Sequence, residues 1–325
     1  MQGMELALVT VVMPVYNRLE YLDEAVQSVF AQTRPTWRLM LADDRSEEAT
    51  WQREQEYARD ARVVLERQER NVGLFANLNA ALRKVETPYV LLLCTDDRLK
   101  PEAIERLLGT AQSLAADLVL PSFDAIDSQG RASASSHGEG RRAMTASTRA
   151  LERREALELL LHYASINGNL TGMFFSREFY DRVGPFRTDW RQAADWEWLH
   201  RAARAGTIAL ATESLAFVRD HEGQLSNANL RTGHRVTEVA YVLRSLLSDP
   251  ELADHPRARS WARHHMQHYV LEAARALLRG DIGGARHIVH EIRSTTGVLP
   301  TLGTFVARLP GRLARLARRA GAGRW

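Results

Sequence analysis

Over its first 120 residues the chain alternates short apolar runs with amphipathic stretches. Residues 8–15 form a β-branched run with no polar alternation, the pattern of a strand buried on both faces. Asn17 follows where a helix N-cap belongs, and Leu22, Ala25, Val26, Val29 and Phe30 then repeat at helical spacing. Residues 38–42 predict a second strand, stopped by Asp43-Asp44-Arg45-Ser46, with a polar helix over 47–59. A third strand at 63–65, a helix over 74–85 and a fourth buried strand at 89–93 continue the alternation, the last ending at Cys94-Thr95-Asp96-Asp97. Pro101 opens another helix at its first turn, and 118–121 reads as a fifth strand.

Strands alternating with helices imply βαβ units and an α/β fold with a doubly wound, mostly parallel sheet. Ligands bind such sheets beyond the carboxyl ends of the strands. The polar clusters Tyr16-Asn17, Asp43-Asp44, Asn71 and Asp96-Asp97 all fall there. Residues 124–150, rich in Ser, Ala, Gly and Arg, predict a surface excursion or flexible loop. A helix follows at 151–163, then strand or loop segments at 168–175 and 208–217 around a helix at 193–205. Beyond 230 the pattern turns helical throughout: Val236, Val239, Ala240, Leu243, Leu246 and Leu247, then helices at 257–279 and 282–293 separated by Gly280-Asp281. The expected organisation is a domain over 1–230 and an all-helical appendage over 231–325.

The 325 residues, 45% apolar and 26% charged, have the balance of a globular chain with ample core. A lone Cys94 excludes a disulfide framework and a cysteine-based zinc site, and fits a reducing compartment. No apolar run approaches the ~20 residues of a membrane span, and no basic, then apolar, leader opens the chain, so a cytoplasmic location is expected. The net charge of +3 conceals an asymmetry: residues 296–325 hold six Arg and no acid, leaving 37 basic against 40 acidic residues elsewhere. A domain-wide basic footprint is absent, and no nucleic-acid partner is expected.

Two adjacent carboxylates at the end of a buried strand, Asp96-Asp97, suit a hard divalent cation that bridges diphosphate oxygens; they equally suit a solvated helix-capping loop. Asp43-Asp44 either caps the next helix or accepts hydrogen bonds from a nucleobase or ribose. Pro14-Val15-Tyr16-Asn17 stands where a glycine-rich phosphate loop would be, which excludes the dinucleotide fingerprint and the P-loop. Asp195, beside Trp196 and Trp198 at a helix start, is either an N-cap or a carboxylate desolvated toward general-base duty. His221 is either a surface histidine or a metal or phosphate ligand.

In this order these residues resemble the family 2 glycosyltransferases, of GT-A fold, over about residues 6–225. Val11-Val12-Met13-Pro14-Val15-Tyr16-Asn17 is similar to that family's opening strand and turn, and Ser28-Val29-Phe30-Ala31-Gln32-Thr33 to the segment that follows. Leu41-Ala42-Asp43-Asp44-Arg45-Ser46 resembles its second strand and acidic turn, and Asn71-Val72-Gly73-Leu74 with Asn79 its Asn-x-Gly…Asn element. Cys94-Thr95-Asp96-Asp97 resembles the metal motif. Thr171-Gly172-Met173-Phe174-Phe175 with Val183-Gly184-Pro185-Phe186 resembles the acceptor-side segment, and Ala194-Asp195-Trp196 the catalytic acidic motif.

The resemblance implies that Pro14, Tyr16 and Asn17 line a nucleotide pocket, with Asp44 and its neighbour Asp43 toward the base. Asn71 would hold the nucleotide, Asp96 the ribose or metal, and Asp97 a Mn²⁺ or Mg²⁺ ion that His221 also approaches. Asp195 would be the general base, with Gly172 and Trp196 on the acceptor side. Residues 1–230 would then be a nucleotide-sugar-binding catalytic domain. The chain departs from the family pattern at Cys94, where a first acidic residue is common, at Ala194, where Glu often stands, and at Leu78, often Arg.

The expected activity is inverting, metal-dependent transfer of a sugar from a UDP-linked donor to a hydroxyl of a glycan or lipid-linked acceptor in bacterial surface polysaccharide synthesis. A non-catalytic sugar-nucleotide-binding subunit is the competing expectation, motivated by Cys94 and Ala194. A nucleotidyltransferase would need a glycine-rich basic loop after the first strand, and none is present. Leu309, Leu313, Leu316 and Ala320 form one helical stripe beside Arg308, Arg312, Arg315 and Arg319. Residues 308–320 therefore predict either a peripheral contact with an anionic membrane surface or an ordinary packed helix.

Overall fold

The computed structural model describes residues 7–133, 137–221 and 235–310. They cluster as two compact units, one of 7–160 with 164–221 and one of 161–163 with 235–310.

In the first unit, β1 (Val9–Val15) lies parallel between β2 (Trp37–Asp43) and β4 (Tyr89–Leu92), and β3 (Val63–Arg67) extends the sheet beyond β2. The register sets Val15 opposite Asp43, so the first two strands end level. Beyond β4 the pairing reverses. The short β8 (Phe174–Ser176) enters antiparallel between β4 and β6 (Leu118–Ile126). The twelve-residue β9 (Ile208–Arg219) then runs parallel to β6, with β5 (Arg98–Leu99) and β7 (Arg149–Ala150) short antiparallel partners along it. The long pairings are parallel and the antiparallel ones two or three residues each, giving the mostly parallel open sheet expected of alternating periods.

Val9, Val11, Met13 and Val15 of β1 share an apolar cluster with Leu22, Ala25, Val26 and Val29 of α1 (Leu19–Phe30) and with Ile104, Leu107 and Leu108 of α4 (Ala103–Ser113). Val12 is fully buried too, and α3 (Leu74–Arg83) packs on β1 and β2. Burial on both sides is why these strands read as unbroken apolar runs.

Asn17 does not cap α1. The helix begins after Arg18, and Asn17 takes a left-handed conformation (φ 51°). Its side-chain oxygen instead accepts the Glu47 N–H at 2.6 Å, just before α2 (Glu48–Tyr57). The described residues of 124–150 form elements rather than one flexible loop: β6 continues to Ile126, a turn closes on Asp127, and α5 (His137–Met144) and β7 come after residues 134–136, which lie outside the described residues. α6 (Arg153–Tyr163), α7 (Arg177–Val183) and α8 (Ala194–Ala205) complete this part of the chain. α7 was not foreseen; Ser176, accepting the Phe179 N–H at 3.1 Å, starts it directly after β8.

The second unit contains α9 (Arg235–Leu247), α10 (Ala258–Met266), α11 (His268–Leu278), α12 (Ile282–Thr295) and α13 (Val298–Ala307). The single helix expected at 257–279 is divided at the buried Gln267, whose amide turns back onto the His264 carbonyl at 3.1 Å. Asp281 caps α12 through the Gly284 N–H at 2.8 Å. Of the stretch 308–320, residues 311 onward lie outside the described residues. No helix among the described residues is long and apolar enough to cross a membrane.

Candidate active site

The turn after β4 is anchored to β1 by Thr95, whose hydroxyl donates to the Pro14 carbonyl at 2.6 Å. That contact sets Cys94, Asp96 and Asp97 at the carboxyl end of the sheet, with one potential ligand atom of each within 4.8 Å of the others. Asp97 is 1% exposed. Its Oδ1 accepts the Arg219 backbone N–H at 2.8 Å and its Oδ2 the Thr171 hydroxyl at 2.5 Å. Burial, then the neighbouring Asp96 charge, pushes its carboxyl up to about 8. A buried carboxyl disfavoured as an anion gains most from a bound cation. Asp96 Oδ2 meets His221 Nε2 at 3.0 Å.

These hard oxygen donors fit a divalent ion such as Mn²⁺ or Mg²⁺, with His221 beside them. Cys94 contributes little. Burial and both acids hold its thiol well above the ordinary range, and a neutral thiol is a poor ligand for a hard ion.

Arg219, the last residue of β9, is 1% exposed and holds the turn from below. Its guanidinium donates to the Asp96 carbonyl at 2.8 Å, to the Ser128 carbonyl at 3.1 Å and to Glu24 Oε2 at 2.8 Å, and lies 4.5 Å from the Tyr21 ring centre.

The second acidic turn is engaged mainly by protein. Asp43 is wholly buried, accepts the Ser46 N–H at 2.9 Å and pairs with Arg67 Nε at 3.0 Å. The structure thus gives Asp43 an internal latch rather than an open position beside a nucleotide. Asp44 takes the Val72 and Gly73 N–H groups at 2.7 and 2.8 Å, bridging β2 to the start of α3, and burial raises its carboxyl. Asn71 is exposed next to that bridge, Tyr16 is 50% exposed, and Pro14 and Asn17 are half-buried. Asn79 is buried, donating to the Phe186 carbonyl and accepting from the Tyr180 hydroxyl and the Phe186 N–H. It splices α3 to the chain after α7.

Asp195 opens α8. Its Oδ1 accepts the Trp196 N–H at 2.8 Å and its Oδ2 the Asn167 side-chain amide at 3.4 Å, with Ser165 as a further side-chain donor. Burial outweighs these donors and raises its carboxyl above the ordinary value. Trp196 does not open toward an acceptor. It is 3% exposed, and its indole N–H donates to the Leu160 carbonyl of α6 at 3.1 Å.

The loop between α6 and β8 joins the two acidic centres. Asn167 reaches Asp195, Asn169 Oδ1 accepts the Thr171 N–H at 2.8 Å, and Thr171 reaches Asp97. Gly172 keeps the loop against the sheet at φ 91°, its N–H on the Leu92 carbonyl at 2.9 Å. Asn167, Thr171 and Arg219 have no separate role assigned by sequence pattern. Each acts over 28 or more residues of separation, and no local pattern announces such contacts. A cavity of about 490 Å³ lined by Leu8, Thr10, Arg38, Glu66, Lys84 and Thr87 holds none of the expected site residues.

Comparison with known proteins gives these features a lineage. The chain is 34% identical over 102 residues to the putative teichuronic acid biosynthesis glycosyltransferase TuaG of Bacillus subtilis, matching 31% of this chain and only 40% of that protein. In structure it resembles S. aureus TarS 1–349 in complex with UDP-GlcNAc (TM-score 0.68, 15% identity, 88% of this chain and 81% of that one). It also resembles the mannosyltransferase PcManGT of Pyrobaculum calidifontis in complex with GDP-Man and Mn²⁺ (TM-score 0.56, 16% identity, 96% and 81%). These likenesses identify the fold as GT-A. The model of glycosyl transferase family 2 matches residues 10–183, more than half of the sequence, and the chain belongs to that family.

Proposed function

We propose that the protein is an inverting glycosyltransferase that moves a sugar from a nucleoside-diphosphate donor, UDP-linked, to a hydroxyl of a glycan or lipid-linked acceptor in bacterial surface polysaccharide synthesis. The observation that carries the reading is the convergence of Asp97 and Asp195 on one loop. TuaG, named for teichuronic acid biosynthesis, supports the acceptor class, and the UDP-GlcNAc complex of TarS the donor class.

In this reading Asp97 and Asp96 hold a divalent cation, with His221 fixing the Asp96 carboxylate. A cation bound there would supply Lewis-acid neutralisation of the charge on the departing diphosphate. Tyr16, Asn17 and Asn71 lie along the nucleotide, with Asp44 at the base. Asp195 removes the acceptor hydroxyl proton as its oxygen forms the new bond to the anomeric carbon and the bond to the diphosphate oxygen breaks. Attack opposite the leaving group inverts the configuration. The raised Asp195 carboxyl matches this duty, because a base of ordinary carboxylate strength takes a proton weakly.

The test is a screen of nucleotide sugars for turnover with Mn²⁺, repeated with EDTA and with Asp195→Asn. Turnover that needs metal and falls about 10²–10⁴-fold in the variant is expected. Full activity in Asp195→Asn would remove it as the base. Metal-dependent UDP binding without any turnover would favour the binding-subunit reading instead.

A further inference from the structure

Two arginines are buried among the described residues, and their surroundings differ sharply. Arg219 has carbonyls and Glu24 around its guanidinium. Arg141, in α5 and 5% exposed, makes a single hydrogen bond: its Nη2 donates to the Asn167 carbonyl at 3.3 Å. Its Nη1 is enclosed and meets no acceptor, and no carboxylate pairs with it among the described residues. Burial alone pulls its pKa down to about 10, so the group stays charged at neutral pH. A buried cation without a counter-charge is costly to a fold, and one bond to a neutral carbonyl does not offset it.

The partner in that bond locates the arginine. Asn167 is 3% exposed; its side-chain amide reaches the Asp195 carboxylate, and its Oδ1 also lacks a partner. A charged donor and a neutral acceptor are thus both unsatisfied within one residue of Asp195. We infer that Arg141, with Asn167, recognises an anionic group, carboxylate or phosphate, carried by the acceptor sugar.

A guanidinium presents paired N–H donors that match two oxygens of a carboxylate or phosphate. Asn167 Oδ1 complements it as an acceptor for a hydroxyl of the same sugar. The single 3.3 Å bond is a light tether, so the long side chain can turn its fork toward a ligand entering beside Asp195. Assigning the anion to the acceptor rests on the transfer reaction proposed above, in which Asp195 faces the acceptor hydroxyl and Asp97 the diphosphate. Asn167 alone links Arg141 to Asp195, whereas Asp97 is held by Thr171 further along the loop. A neutral acceptor would leave the charge unpaired, which makes the arginine a filter against such acceptors.

The test is calorimetric titration of the full chain with inorganic phosphate, D-glucuronate and D-glucose. Metal-free buffer with EDTA keeps these probes from binding through a cation at Asp97. Phosphate and glucuronate should bind, glucuronate about tenfold or more tighter than glucose. Arg141→Met should weaken both anions about tenfold or more, and Arg141→Lys should recover part of the loss. Removing an unpaired buried charge does not threaten folding. Should the methionine variant still fail to fold by circular dichroism, the lysine variant decides by a smaller fall. Absence of anion binding, or binding unchanged in the folded variants, would overturn the inference. Glucuronate should also bind equally with UDP-GlcNAc and Mn²⁺ already in place. Displacement of glucuronate by UDP-GlcNAc, or weaker UDP binding in Arg141→Met, would give the anion to the donor and overturn the acceptor assignment. Failure of UDP-GlcNAc to bind would count against the transfer reading alone, and the phosphate and glucuronate titrations would still decide the anion site.

Discussion

Asp97 and Asp195 are held by one loop: Thr171 donates its hydroxyl to the first, and Asn167, four residues earlier, its amide to the second. Four residues reach at most about 14 Å, which bounds the distance between the Cα atoms of the two anchoring residues. The spacing suits groups that would act on the two ends of one reacting sugar. A loop fixed at both acids also couples them, so a change in its length displaces one relative to the other.

Asn167 is expected to tune Asp195. Its amide favours the ionised carboxylate, whereas burial opposes ionisation and prevails. A base acts only when deprotonated, so transfer should fall as pH drops through the raised Asp195 value. Asn167→Leu removes a donor to the anion and should move the acid limb of the kcat/KM profile to higher pH, with Asp97-dependent metal affinity unchanged. Coincident profiles for the two proteins would show that Asn167 has no such effect.

Gly172 leaves no room for a side chain. A Cβ there would sit 2.9 Å from Pro121 Cγ, on a backbone at φ 91°. Gly172→Ala combines left-handed strain with overpacking and should cost about 2–4 kcal/mol, read as a lower urea midpoint. It should also reduce activity in the fraction that remains folded, because the loop carrying Thr171 must shift.

Arg219→Met removes the donors to the Asp96, Asp127 and Ser128 carbonyls and takes from Glu24 one of its two guanidinium partners, leaving Arg98. A loss of about 2–4 kcal/mol is expected in chemical denaturation. Arg219→Lys keeps the charge but not the planar fork, and should recover only part of it.

Glu54 in α2 gives a pH test apart from the site. It is fully buried, and desolvation with the Asp43 charge raises its carboxyl to about 8. The unfolded chain ionises near the ordinary 4.5, so this residue's contribution to stability is full below that pH and is lost as pH rises toward 8. The loss is about 5 kcal/mol at most. Glu54→Gln should flatten that part of the stability curve; an unaltered curve would show that burial does not hold the proton.

Much of the parallel half was legible because strands covered on both faces leave unbroken apolar runs, as at β1, β2 and β4. The acidic turns were legible because they directly follow such strands. Asn17 misled because Asx residues cap helices in general, and nothing local tells which helix; here it serves α2, thirty positions on. Trp196 read as a pocket wall, yet a ring beside an acidic residue packs as readily into a core. Between 124 and 150 the composition is that of a loop, and tertiary pairing with β9 imposes structure on it. α13 lacked the polar face by which surface helices are recognised.

The bond from the Arg219 amide to Asp97 spans 122 positions, and it has a consequence for the order of assembly. As the chain emerges during synthesis, β1 to β4 can pair among near neighbours, while the acidic turn waits in water for a strand not yet made. Completion of the turn and arrival of β9 are therefore one event. Hydrogen exchange at the Arg219 amide should therefore slow only in molecules that have finished folding, and a chain ending before it should carry the acidic pair in an unfinished form.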